Sequence, residues 1–387
     1  MNRYQAHAHR RLLLKARSLY LLVSLLISLA LAGCGGPSAA ELAAIDYAPL
    51  AGGDWAVSTP EEQGLDPDLL AQFYYDAAQL ESIYGLLVIK NGQLIAEKYF
   101  HEGSIDQMSS RASVTKSVTS ALIGIALDQG CLESVDQKMM EFFPELAGQI
   151  RDPRKEQITI QQLLQMRAGY PWEESSPELM ELLFTGFRPS SLVAVPLAYD
   201  PGTYMDYSNL TSHILGIIVA RACGTDLKSY AQDNLFSPLG GELGFWQQDW
   251  EGYYLGFADL DIRARDMAKF GLMYLDGGVY QGQQIVPADW VRDSLQIYSE
   301  DAWRFRVGRN WRDPGYGYQW WSIHAGEHRY NLAWGHGGQQ IALLEDLNMV
   351  IVVTADPLYK QHGDAPWKLE KANLNLMADF VASLPAE

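Results

Sequence analysis

The alternation of apolar and polar positions divides the chain into strand-rich ends around a helical middle. From Pro67 to Leu80 the apolar residues Leu69, Leu70, Phe73, Ala77 and Leu80 recur at helical spacing, which predicts an amphipathic helix. Two β-rich runs follow, Tyr84 to Lys90 and Gln93 to Phe100, joined by Asn91-Gly92. That dipeptide is a strong hairpin signal, because both central residues of a type I′ turn need positive φ. Ser113 to Gln129 has no proline, Gly124 as its internal glycine and a C-cap candidate in Gly130, and predicts a long, mostly buried helix. From Asp136 to about Asp276 helical patterns dominate, as in Ile160 to Met166, Thr211 to Ala222 and Ile262 to Leu275. Beyond Tyr316 strands return at Tyr318 to Ile323, His328 to Trp334, Gln340 to Glu345 and Met349 to Thr354, before a closing helix near Trp367 to Leu384. The expected class is α+β: one antiparallel sheet built from both chain ends with flanking helices, and an inserted all-α region spanning about 136–276.

The first 33 residues stand apart from this pattern. Arg3, Arg10, Arg11, Lys15 and Arg17, with no acid, precede an apolar run from Leu19 to Ala32 broken only by Ser24 and Ser28. Shorter than the ~20 residues of a bilayer span, this run predicts a secretory signal peptide over residues 1–33. Leu31-Ala32-Gly33-Cys34 resembles a bacterial lipobox, which implies cleavage before Cys34 and acylation of its thiol. Residues 34–60 are then expected to be a tether and 61–384 the globular domain. Gly35, rather than an aspartate, follows Cys34, and by the same resemblance leans towards the outer membrane of the cell envelope, facing the periplasm.

Composition narrows the partners. The 387 residues include 29 basic and 47 acidic ones, a formal charge of -18, and loss of the leader's five basic residues takes it to -23. This excludes a nucleic-acid partner, whose affinity would come largely from Lys and Arg. It also repels anionic headgroups, leaving the lipid on Cys34 as the membrane attachment. Three cysteines without C-x-x-C or Cys/His ligand spacing exclude a disulfide framework and a structural zinc site; Cys131 and Cys223 are either thiols or one disulfide.

Three short motifs carry candidate chemistry. Ser113-Val114-Thr115-Lys116 opens the predicted long helix, so the hydroxyl and the ammonium lie on one face, one turn apart. A serine needs a base to take its proton, and a helix N-terminus adds amides that can hold an oxyanion. Tyr207-Ser208-Asn209 follows a Pro201-Gly202 turn and precedes a helix. A nearby ammonium would favour the phenolate of Tyr207, which could then shuttle the Ser113 proton; alternatively Asn209 only caps the helix. Third is Trp334-Gly335-His336-Gly337-Gly338-Gln339, between two predicted strands, where glycines mark a tight turn or a close backbone approach.

In order and spacing these motifs resemble the serine β-lactamase and penicillin-binding-protein superfamily, specifically its class C β-lactamase-related branch. Tyr84 to Gly92, Ile158 to Leu164, Pro201-Gly202-Thr203 and Arg265 to Gly271 look like the same branch, so the resemblance covers about residues 60–384. It implies a β-lactamase-like fold with Ser113 as nucleophile, Lys116 as its electrostatic and proton-relay partner, and Tyr207 as general base and acid. Asn209 would orient substrate or Lys116, and the backbone amides of Ser113 and Gln339 would form the oxyanion hole. At the third motif, His336 and Gly337 stand where β-lactamases of this superfamily have a Lys-Thr-Gly that holds the antibiotic's carboxylate. His336-Gly337-Gly338 is closer to the branch's esterases and 6-aminohexanoate-dimer hydrolases, with Trp172 and Trp334 among the aromatic residues that would bind substrate.

The resulting expectation is a serine hydrolase that cleaves a small ester or amide through an acyl-serine intermediate, without metal or cofactor. Alternatives are a β-lactamase or a peptidoglycan D-amino-acid peptidase, with His336 or Arg309 holding the carboxylate, and a non-catalytic cell-envelope binding protein. The chain has no Gly-x-Ser-x-Gly elbow, no Gly-x-Gly-x-x-Gly and no phosphate loop. His324 and His328 have the spacing of zinc ligands on a helix, but their neighbours favour a hairpin tip; His213 is expected to be a core histidine.

Overall fold

The computed structural model describes residues 36–50, 53–356 and 366–386; the leader and Cys34 lie outside them. Up to Ile45 the chain forms a separate unit whose described part holds a short helix, Ala39–Ala43, capped by Ser38. From Asp46 onward the two ends of the sequence do build one sheet. Helix α1 (Pro67–Ala78) leads into β1 (Ile83–Lys90) and β2 (Gln93–Tyr99). The middle contributes α2 (Val114–Asp128), α3 (Asn209–Cys223) and α4 (Ala264–Leu275), among shorter helices. Strands β3 (Arg312–Tyr316), β4 (Trp321–Ala325), β5 (His328–Gly335), β6 (Gln339–Leu344) and β7 (Met349–Ala355) then precede α5 (Pro366–Ser383). The strand order is β2-β1-β7-β6-β5-β4-β3, with the last strand paired antiparallel to the first and Val88 opposite Ile351.

Local chemistry explains where the elements fall. Asn91 (φ 51°) and Gly92 (φ 75°) both adopt the left-handed conformation that the β1–β2 turn demands. The strand β3 is invisible to periodicity: Pro314 and Gly315 interrupt it, and its register shifts between Arg312 and Gly315, as an edge position tolerates. β4 begins at Trp321 rather than Tyr318, because Gln319 turns with φ 64° and is buried as a cross-link. Its carbonyl accepts from Ser117 on α2, its Oε1 from Ser212 on α3, and its Nε2 donates to Leu163 and Leu164. The middle is mostly helical, as expected, with a two-residue strand at Asp261–Ile262 that pairs with Ser109–Ser110.

Both faces of the sheet are covered, so its central strands read as near-continuous apolar runs. Leu87, Ile89, Ile341, Leu343, Val350 and Val352 join the core around α2, α3 and α4, while the alternate residues Leu86, Val88, Ala342 and Ile351 are equally buried towards the other face. There α1 packs with α5, and Phe73 stacks on Phe380 at 4.0 Å. Every residue of α2 from Val114 to Ala126 is buried, including Thr115, Lys116, Ser117 and Thr119, whose side chains are hydrogen-bonded within the core.

One domain boundary needs correction. Residues 46–50 and 53–59, part of the segment 34–60 expected to be tether, run along β2: Glu97 donates its amide to Tyr47 O, Leu94 donates to Ala56 O, and Ser58 donates back to Leu94 O. The buried Glu97 carboxylate accepts from Leu50 N and from Arg265 Nε and Nη2 at 2.7–2.9 Å, and Arg265 Nη1 reaches Asp54 at 2.6 Å. A composition rich in small residues and proline conceals these contacts because the backbone and one buried ion pair make them.

Gly124, in the middle of α2, illustrates how tightly the central helix is enclosed: a Cβ there would stand 2.3 Å from the Trp290 ring. Gly-to-Ala in a helix interior ordinarily gains about 1 kcal/mol, but a rigid indole leaves no room for the methyl, and overpacking costs about 1–3 kcal/mol. Gly124→Ala therefore lowers the thermal denaturation midpoint by several degrees; an unchanged or raised midpoint would contradict this packing.

Candidate active site

Ser113 sits at the entry to α2, one residue after Ala112, whose φ of 46° is a left-handed conformation unfavourable for a residue with a side chain. The sharp turn aims the partly exposed hydroxyl out of a helix that is otherwise buried. Lys116 Nζ lies one turn on, 2.8 Å from Ser113 Oγ, 2.7 Å from Asn209 Oδ1 and 3.1 Å from Phe257 O. It also stands over the rings of Tyr207 (4.8 Å) and Phe257 (5.5 Å). Burial lowers the Lys116 ammonium to about 7, with the charges of Glu174, Glu173 and Asp259 pulling the other way. The neutral amine has two N–H groups and one lone pair: donation to Asn209 and Phe257 leaves the lone pair facing Ser113, ready to take its proton.

Tyr207 shares a hydrogen bond with Ser113, but its phenol is not lowered. Desolvation pushes it well up, and the carboxylates of Glu174, Glu370 and Glu173 push the same way, so the ammonium's pull expected from the sequence is outweighed. The helix cap is Ser208, whose Oγ accepts from Thr211 N at 3.3 Å; Asn209 is thereby left to orient Lys116. The start of α3 is held by the buried Glu173, which accepts from Ser208 Oγ (2.6 Å), Asn209 N (2.8 Å) and Leu210 N (3.2 Å). Burial pushes this carboxyl up to about 7 against the pull of those bonds. Nothing in the sequence marks Glu173, since two adjacent glutamates read as surface charge.

The third motif is the turn between β5 and β6. A Cβ at Gly335 would lie 2.2 Å from Arg111 O and 3.2 Å from Val114 N, so only glycine lets this strand press against the nucleophile's own backbone. Gln339, opposite Gly335 in the register, has its side chain bonded to Arg111 and to both backbone groups of Ala355. Helix α5 grips the turn with residues one helical turn apart. Glu370 accepts from Trp334 Nε1 (2.8 Å), Gly337 N (3.2 Å) and His336 Nδ1 (2.8 Å), and Asn373 Nδ2 donates to Gly337 O at 2.8 Å. Both are buried, and both escape sequence reasoning because they lie some thirty residues beyond the motif in an ordinary amphipathic helix.

Two cavities meet at Ser113. One of about 330 Å³ is walled by Trp172, Trp303, Trp321, Trp334, Trp367 and Phe305, with Tyr207, His336, Glu174 and Glu370 on its rim or floor. The other, of about 400 Å³, includes Asn209, Phe257, Asp259, His336 and Glu174. The structure thus brings Ser113, Lys116, Tyr207, Asn209, His336, Trp172 and Trp334 together. Gly337 and Gly338, expected to bind substrate, line neither cavity: both have positive φ, and Gly338 packs against Asn373, so they shape the turn instead. His213 is a core residue bonded to Asp249 at 3.1 Å, and Trp320 is buried against Phe270 and Tyr274. His324 and His328 flank the β4–β5 hairpin tip on separate strands, paired with Asp313 and Asp346.

Comparison with known proteins identifies the fold and the family. A family model described as Beta-lactamase matches residues 77–373. The chain is 26% identical over 315 residues to a 6-aminohexanoate-dimer hydrolase of Paenarthrobacter ureafaciens, covering 76% of this chain and 79% of that protein. Among solved structures it is similar to EstCE1, a hydrolase with promiscuous acyltransferase activity (TM-score 0.62, 17% identity, 81% of this chain and 99% of that one). It is also similar to an octameric penicillin-binding protein homologue from Pyrococcus abyssi (TM-score 0.60, 19% identity, 80% and 76%).

The grip of α5 on the third motif has a measurable consequence. Glu370→Ala strands the Trp334 and Gly337 N–H groups away from water, at about 1–3 kcal/mol for a buried unsatisfied donor. It lowers both the denaturation midpoint and the activity, and Glu370→Gln, which keeps an acceptor oxygen, loses less of each. Equal losses in the two variants would show that the hydrogen bonds to the turn are not what Glu370 contributes.

Proposed function

The chain belongs to the Beta-lactamase family, and from that premise we propose that it hydrolyses a small ester or amide through an acyl-serine intermediate. The observation that carries this reading is the buried Lys116 amine, poised near neutrality and aimed at Ser113 Oγ at 2.8 Å. Neutral Lys116 takes the hydroxyl proton as Ser113 attacks the acyl carbon. The Tyr207 phenol, hydrogen-bonded to Ser113, relays a proton to the departing alcohol or amine as the bond to it breaks. Water then attacks the acyl carbon, and its proton passes through the same groups to Ser113 Oγ as the acyl–serine bond breaks and the acid leaves. The amides of Ser113, at the head of α2, and Gln339, beside the close approach of Gly335, are the oxyanion donors in this reading.

Hydrolysis of a β-lactam or of a peptidoglycan peptide ending in a carboxylate is disfavoured: among the described residues no lysine or arginine lines either cavity, Arg309 included, and His336, which lines both, is held by the Glu370 carboxylate. The leader and Cys34 support a lipid-anchored enzyme of the cell envelope. Cys34→Ser is expected to move the protein from the membrane fraction to the soluble fraction on cell fractionation.

The catalytic reading is tested with initial rates on a short-chain nitrophenyl ester, the 6-aminohexanoate dimer and a chromogenic cephalosporin. Ser113→Ala abolishes turnover, and Lys116→Ala and Tyr207→Phe each lower kcat/KM by on the order of 10³-fold, with poor additivity. Because only the neutral amine can accept the proton, kcat/KM rises with pH through about 7 and levels off above it. That limb disappears from the residual activity of Lys116→Ala. Turnover retained by Ser113→Ala, or a cephalosporin hydrolysed faster than the ester, overturns the reading.

A further inference from the structure

Two thiols meet at the far end of the helices that carry the site. α2 and α3 are each 15 residues long, about 22 Å at the α-helical rise, and pack against one another. Their heads are joined where Lys116 Nζ bonds Asn209 Oδ1 at 2.7 Å. Helices of equal length that start together and pack side by side also finish together, and a cysteine stands at each finish. Cys223 is the last residue of α3, and Cys131 follows α2 across the left-handed turn of Gly130 (φ 72°). Both are thiols, and they share a hydrogen bond.

Their surroundings are not those of inert core thiols. Both are half-buried at the margin of the core, beside a polar cluster in which Tyr230 Oη donates to Gln129 Oε1 at 2.9 Å and Gln129 Nε2 to Asn234 Oδ1 at 2.8 Å. The Tyr230 hydroxyl is within hydrogen-bonding reach of both sulfurs. The backbone on either side is fixed, since Cys131 N donates to Ala126 O at 2.9 Å and Gly224 N, after Cys223, donates to Ala220 O. Burial and the adjoining Cys131 thiol push the Cys223 thiol up to about 12, which suits it poorly to act alone as a nucleophile or as a metal thiolate. Among the described residues no group of three His, Cys, Asp or Glu side chains forms a metal site. With Cys34 reserved for lipid, these are the two thiols left in the chain.

We propose that Cys131 and Cys223 are a cross-linking site, oxidised to a single disulfide that ties the tails of α2 and α3 together. The oxidant is a low-molecular-weight disulfide, a class of reagent at home in the oxidising cell envelope to which the leader points. The Cys131 sulfur attacks it, its S–S bond breaks and one small thiol leaves; the Cys223 sulfur then displaces the second. Each protein sulfur gives up its proton to the small thiol it displaces, so two protein thiols are oxidised and one small disulfide is reduced to two thiols. With the sulfurs already in contact, the movement falls on the side chains rather than on the helices. The closed ring of about 90 residues takes in most of the helical middle, Glu173 and Tyr207 included, and so restricts the unfolded chain while leaving the contact of Lys116 with Asn209 as it is. The inference goes beyond the acyl-serine reading, and neither the cross-link nor its readout depends on turnover.

The test uses the full chain carrying Cys34→Ser, so that only this pair can titrate, either reduced with dithiothreitol or treated with oxidised glutathione. After denaturation, maleimide–polyethylene glycol is expected to add twice to the reduced protein and not at all to the oxidised one, whose intact mass is lower by about 2 Da, the two hydrogens removed. The oxidised form melts several degrees higher, and dithiothreitol abolishes the difference. Cys131→Ser and Cys223→Ser, each in the same background, show no rise with oxidant. Two thiols still reactive after the oxidant, or a glutathione adduct that persists on either cysteine, overturns the cross-link. A disulfide that forms without raising the midpoint, or an equal rise in either single variant, overturns its role in holding the two helices.

Discussion

An amine buried between two apolar helices is the constraint on which the site depends. Removing an ammonium from water is costly unless its hydrogen bonds are replaced, and Lys116 replaces them from three separate pieces of chain: Ser113 on its own helix, Asn209 at the head of α3 and the carbonyl of Phe257. None of these groups is useful unless α2 and α3 are held in register. Small residues and buried polar bonds set that register. Gly216 and Gly256 approach so closely that a Cβ on Gly216 would stand 3.1 Å from Gly256 Cα, and Gln319 ties both helices to the sheet edge. The rigidity of the middle of the molecule and the reactivity of its surface serine thus follow from one packing problem.

The sheet solves a second problem, bringing a distant turn to the head of α2. Because the first and last strands pair, the β5–β6 turn comes over the nucleophile, and Gly335 removes the side chain that would keep them apart. A turn rich in glycine is conformationally expensive to fix. α5 fixes it with a carboxylate on one N–H and an amide on the neighbouring carbonyl, so the closing helix belongs functionally to the site although it contributes no reacting atom.

The elements that follow periodicity were legible in the sequence: α1, the β1–β2 hairpin with its Asn-Gly turn, the long buried helix, the last four strands and the closing helix. Ser113, Lys116, Tyr207 and Asn209 were legible because chemistry constrains their spacing within a turn of helix or a short loop. What escaped were contacts made across long sequence separations by residues of ordinary type. Glu173, Glu370 and Asn373 look like surface residues of unremarkable segments, and only the fold buries them. The docking of residues 46–50 and 53–59 escaped for the same reason, since it is carried by backbone groups and by Glu97 and Arg265, 168 positions apart. The strand β3 was hidden by the proline and glycine that an edge position permits. The expected lowering of Tyr207 by the Lys116 charge is outweighed by desolvation, because sequence shows that two groups are neighbours but not how far they are from water.

Desolvation also explains why two groups of opposite type arrive near the same value. Burial destabilises whichever form is charged, so it lowers the Lys116 ammonium and raises the Glu173 carboxyl, each to about 7. Glu173 keeps three hydrogen bonds that favour its charged form, and burial still prevails. The consequence is a site in which both the amine and the carboxyl are charged less readily than in water, while the nearby Tyr207 phenol, raised by the same desolvation, stays protonated. A phenol that does not ionise is better suited to pass a proton than to store one, and a lysine near neutrality to store one. This division of roles follows from depth of burial rather than from the identity of the motifs, and it joins the energetic cost of the fold to the proton traffic of the reaction.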